Sequence, residues 1–101
     1  MKKPDIPSNE QSRLEALHAL NILDTPPEER FDRITRTAVR MFGVEIAALT
    51  FVESEREWFK SIEGADIYEG RRETSFCGHT IVEDDMLVVE DATKDPRFAD
   101  N

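Results

Sequence analysis

Between Val44 and Val52 the side chains follow the two-residue period of a strand, yet both of its faces are apolar. Val44, Ile46, Ala48, Thr50 and Val52 fall on one face, and Ala47, Leu49 and Phe51 on the other. A strand of that kind is covered above and below, so it belongs inside a sheet with a neighbour along each edge. Glu53 to Glu57 is a polar turn, and Trp58, Phe59 and Ile62 lie in a second run that stops at Gly64, so an antiparallel hairpin supplies one neighbour. Met86 to Val89 is expected to be a third short strand. The second neighbour of the first strand is expected from chain beyond Asn101 or from another molecule.

Two helices precede the hairpin. Ser8 to Gln11 has the spacing of a capping box, and Leu14, Leu17 and Ile22, with Ala16 and Leu20 behind them, recur at helical intervals, which predicts a helix from about Asn9 to Leu23. Thr25, Pro26 and the acidic pair Glu28 and Glu29 form a second start signal. Phe31, Ile34, Ala38, Met41 and Phe42 then mark one face of a helix that Gly43 closes. The segment from Ala65 to Asp85 is mixed, with Thr74 or Ser75 placed to start one or two helical turns through Thr80. Residues 1–7 read as a tail ahead of a domain running from Ser8 to Asn101. The expected class is α+β, with the N-terminal helices packed on one face of an antiparallel sheet.

Charge and cysteine usage narrow the chemistry. In 101 residues, 22 acidic side chains against 13 Lys and Arg give a net charge of -9, a field that repels nucleic acid and anionic membranes. No apolar run is long enough to insert in a bilayer, and a single cysteine fits a reducing cytoplasm. Cys77 and His79 are spaced C-x-H, but zinc takes three or four ligands and His18 lies far off in the first helix. Residues two apart on a helical turn also point away from each other, so Cys77 reads as a small packing group and His79 as a loop support. The acidic run Glu83 to Asp85 lacks the glycine and spacing of a calcium loop. Arg71 and Arg72 either clamp an anion or pair with surface carboxylates.

The ordered set of Glu15 to Ile34, Trp58 to Ser61, Ser75 to Ile81 and Asp91 to Asn101 resembles the GAF domain, in the subgroup at the N-terminus of bacterial signalling proteins such as diguanylate cyclases and sensor histidine kinases. The resemblance implies a central antiparallel sheet with the terminal helices on one face and, on the other, a pocket roofed by the segment from Ala65 to Asp85. It also implies late strands past Asn101, one of them beside the first strand, which makes these residues a partial domain. Family ligands include cyclic nucleotides, bilins and haem, while many members mainly dimerise. Phytochrome-type bilin attachment uses a cysteine directly followed by histidine, and Gly78 intervenes here; the family's methionine sulfoxide reductases use several cysteines. The expectation is a non-catalytic regulatory domain with no particular cofactor, its ligand lined by Phe51, Trp58, Arg72, Phe76, Cys77 and His79. Its partners are a small molecule and either a second copy or the output domain of a longer chain. The alternative is a ligand-free dimerisation module.

Overall fold

The computed structural model describes residues 1–100. Helix α1 (Glu10–Ala19) and helix α2 (Glu29–Phe42) are followed by strands β1 (Ala47–Val52), β2 (Arg56–Glu63) and β3 (Glu69–Arg71), a 3-10 turn (Arg72–Thr74) and the short helix α3 (Phe76–Thr80). The strands form one antiparallel sheet in the order β1-β2-β3, so the architecture is α+β.

The hairpin and the body of α2 form where the periodicity places them, and Gly43 ends α2 in the left-handed conformation (φ 61°). Strand β1 opens at Ala47 instead of Val44, and β2 at Arg56, inside the expected turn. Three helix boundaries also differ. Helix α1 stops at Ala19 instead of Leu23 because Asn21 and Asp24 turn the chain at positive φ, a conformation that short polar side chains tolerate. Ser8 does not cap it; Asn9 is the first flanking residue, and the Ser12 hydroxyl donates to its carbonyl. Helix α2 starts at Glu29, after Pro26, because the Thr25 hydroxyl donates back to the Ile22 carbonyl and so closes the preceding turn.

The strand expected at Met86–Val89 does not form. Met86 and Val88 are exposed, and the outer edge of β2 is taken by β3, with Arg56 opposite Arg71 and Trp58 opposite Glu69. Pairing with a segment a few residues downstream closes a smaller loop than pairing with Met86 would. Strand β1 has β2 on one edge and no strand on the other among the described residues.

A bulge between Leu49 and Thr50 decides what the sheet shows to α2. Leu49 pairs with Ser61 and Thr50 with Phe59, leaving Lys60 without an opposite residue. Lys60 and Ser61 consequently both turn towards the helices. The Ser61 hydroxyl donates to the Asp32 carboxylate at 2.7 Å and lies 2.8 Å from the Thr35 hydroxyl. Lys60 is buried, and its ammonium donates to Thr25 Oγ1 (2.7 Å) and the Pro26 carbonyl (2.6 Å) while pairing with Glu28 (2.7 Å). Its three donors meet three acceptors, which is what a buried ammonium requires.

Seating α2 through polar groups leaves Ile34, Met41 and Phe42 exposed, together with Val44 and Ile46 ahead of β1. The apolar core is correspondingly small: Leu17, Val52, Trp58 and Phe98 are its buried members. Lys60→Gln is expected to destabilise the domain by about 2–3 kcal/mol, because it unfastens the segment before α2 and leaves the buried bulge under-bonded. Urea unfolding measures this, with Arg40→Gln, on the exposed side of α2, as the control.

Candidate functional site

Within the segment from Ala65 to Asp85, β3 lies in the sheet as its edge strand, and the 3-10 turn and α3 that follow pack back against β2 and β1 as a cover. Ser75 starts α3 by accepting a hydrogen bond from the Gly78 amide at 2.9 Å, the role its position suggests. Helix α3 brings the Cys77 thiol to Thr50 of β1 and Glu57 of β2. These residues share the face opposite Phe51, Trp58 and Ser61, since Phe51 pairs with Trp58 and alternates with Thr50 and Val52. Burial first, then the Glu57 carboxylate, push the Cys77 thiol up to about 11, so it carries its proton at neutral pH. A thiol in that state is a poor nucleophile.

His79 faces elsewhere. It is buried, its Nε2 donates to the Lys2 carbonyl at 2.8 Å, and its ring meets Phe98 edge-on at 4.9 Å, while Phe76 packs on the other part of Phe98 at 4.3 Å. Residues 1–7 pack on the domain as a strap: the Lys2 amide donates to the Arg97 carbonyl at 2.8 Å, and Pro4 and Pro7 are buried, Pro4 against Gly78. Cys77 and His79 therefore do not converge on one point.

Arg72 is 4% exposed. Its guanidinium binds both carboxylate oxygens of Glu10 (2.5 and 2.9 Å) and donates to the carbonyls of Glu53 (3.0 Å) and Ser54 (3.4 Å). Arg13 holds Glu10 from the other side at 2.8 Å and also donates to the Val52 carbonyl. One carboxylate in the first turn of α1 thus joins the helix, the β1–β2 turn and the cover. The hydrogen bond from Arg72, followed by Arg13, holds the Glu10 carboxyl at about 2.

Since the folded value lies below the ordinary 4.5, this stabilisation is complete above about pH 4.5 and is lost as the pH falls towards 2. Its size is on the order of 1–2 kcal/mol after allowance for the partly solvated carboxylate. Melting temperature is expected to fall across that interval, and Glu10→Gln should flatten the slope; an unchanged slope would remove Glu10 from the account.

The six residues expected to line one pocket are thus distributed. Phe51 and Trp58 lie on the helix-facing side of the sheet, Cys77 on the opposite side, Phe76 and His79 around Phe98, and Arg72 in the Glu10 pair. Of these, Arg72 lines a cleft of about 430 Å³ between Lys3, Pro4 and Ile6 of the strap, Ser54 and Glu55 of the hairpin turn, and Arg71 to Glu73. His79 lines a smaller one, of about 110 Å³, on the strap beside Arg97. Sequence reasoning missed Thr50 and Glu57 as neighbours of Cys77, although Thr50 and Val52 alternate on the face that the cover meets. It also missed Lys3 and Glu55, which no periodicity marks.

No helix among the described residues is long and apolar enough to cross a membrane. The chain is 36% identical, over its whole length of 101 residues, to a cyclic di-GMP phosphodiesterase of Pseudomonas aeruginosa, and it spans 17% of the length of that relative. Residues 26–101 match the GAF domain model, and with the antiparallel sheet, the helices and the cover in place, the chain belongs to the GAF domain family.

Proposed function

We propose that this GAF domain is a non-catalytic regulatory module in a cytoplasmic signalling protein, that it holds a small molecule beside the cover, and that it controls an output domain elsewhere in a longer chain. The observation that carries the reading is the cleft of about 430 Å³, within the range of small-molecule sites, whose wall includes Arg72. Because Arg72 grips Glu10, displacement of the cover by a ligand moves the first turn of α1. A route from cleft to helix is what a sensor needs and what a purely structural cover does not.

The family membership and the activity of that relative support a signalling context, with turnover of cyclic di-GMP as the output it suggests. Thermal melts of the intact protein against nucleotides, small carboxylic acids and amino acids test the reading. A ligand at a hundredfold excess over its Kd adds about 2.7 kcal/mol of stability. A panel in which no compound raises the melting temperature overturns it.

A second reading follows from the free edge of β1 and the exposed Ile34, Met41, Phe42 and Ile46 beside it: a ligand-free module in which β1 pairs antiparallel with β1 of a second copy. Light scattering at high protein concentration decides this one, a dimer supporting it and a monomer ending it.

A further inference from the structure

We propose that the cleft between the strap and the cover takes a small zwitterion, an α-amino acid with an apolar side chain, gripped by Lys3 and Glu55; the proposal rests on the sensory reading above. The charges around the cleft lead to it. Arg71 is paired with Glu73, and the guanidinium of Arg72 is occupied by Glu10 and two carbonyls. Among the described residues, Lys3 and Glu55 make neither an ion pair nor a side-chain hydrogen bond, although both line the cleft. They stand on different segments, the strap and the hairpin turn, and have opposite signs.

An anion alone would satisfy Lys3 and be repelled by Glu55, and a cation alone the reverse. A molecule with a carboxylate and an ammonium on one carbon answers both with charge-assisted hydrogen bonds. Pro4 and Ile6 line the same cleft, and Ile6 is 60% exposed, so an apolar side chain on the ligand would cover surface that now faces water. The size agrees, since about 430 Å³ accommodates even an aromatic amino acid. A ligand bound across the two segments would also tie the strap to the hairpin turn whose Glu53 and Ser54 carbonyls hold Arg72.

The test is a set of thermal melts and calorimetric titrations of the intact protein with L-phenylalanine, its amide, which lacks the carboxylate, and N-acetyl-phenylalanine, which lacks the ammonium. Phenylalanine is expected to raise the melting temperature, with each analogue binding on the order of tenfold more weakly. Lys3→Gln and Glu55→Gln, both exposed positions that leave the fold intact, should each weaken phenylalanine by a similar factor. Equal binding of the three compounds, or phenylalanine binding untouched by both substitutions, overturns the zwitterion site. A nucleotide or simple acid that stabilises the protein where phenylalanine does not overturns it too, while leaving the sensory reading standing. A panel without any stabilising compound overturns both.

Discussion

Arg72→Met is expected to destabilise the domain by about 3–4 kcal/mol, the largest loss from any single polar side chain in the structure. Methionine fills much of the same volume, so the effect isolates the polar contacts. Its substitution leaves the Glu53 and Ser54 carbonyls without their donor and leaves Glu10 to Arg13 alone. Arg72→Lys should recover only part of the loss, because a single ammonium cannot bind both Glu10 oxygens and reach the turn carbonyls together. With Leu17, Val52, Trp58 and Phe98 as the apolar core among the described residues, 3–4 kcal/mol is a large share of a total on the order of 5–10 kcal/mol. Urea unfolding with a constant slope measures it, and a loss below about 1 kcal/mol for Arg72→Met would show that the pair with Glu10 is ornamental.

Gly64→Ala should cost more than about 3 kcal/mol for a different reason. Gly64 ends β2 at φ 92°, and a Cβ there would lie 2.0 Å from the carbonyl oxygen of Glu45 and 3.0 Å from its carbon. Both contacts are with backbone, so no rotamer change relieves them. The chain entering β1 and the chain leaving β2 would have to separate, which strips the Ala47–Glu63 end of the hairpin. Gly43 is the matched control: it also has positive φ, at 61°, but nothing lies within 4 Å of its Cβ position. Gly43→Ala is therefore expected to cost only about 1 kcal/mol, and denaturant midpoints of the two variants should separate strain from collision.

How much of this was legible beforehand depends on whether an element is specified locally. Helix α2 carries its own stop in Gly43, α3 its own start in Ser75, and the hairpin its own alternation on either side of a polar turn, so each appears where the residues place it. Strand β3 carries no such mark. Glu69, Gly70 and Arg71 have no strand character of their own and pair because the outer edge of β2 lies within reach, whereas Met86 to Val89 has the apolar pattern and pairs with neither edge of the sheet.

The site followed the same division. Alternation correctly separates Trp58 from Phe59, but parity alone does not tell which face the helices cover. The bulge at Lys60 then turns two consecutive residues the same way. The sequence leaves Arg72 as an anion clamp or a pairing partner, and in the structure it pairs, with Glu10 sixty-two positions away. A contact of that range leaves no trace in local spacing.

The most direct measurement is amide hydrogen exchange of the intact protein with and without a mixture of nucleotides, small carboxylic acids and amino acids. Slower exchange in the Ser54–Glu55 turn, across Arg71–Glu73 and in the first turn of α1 is the predicted outcome, because the cleft and the helix share Arg72 and Glu10. Exchange unchanged in all three places, or protection confined to the free edge of β1, would contradict a ligand-bearing cover and leave association through that edge as the function of the domain.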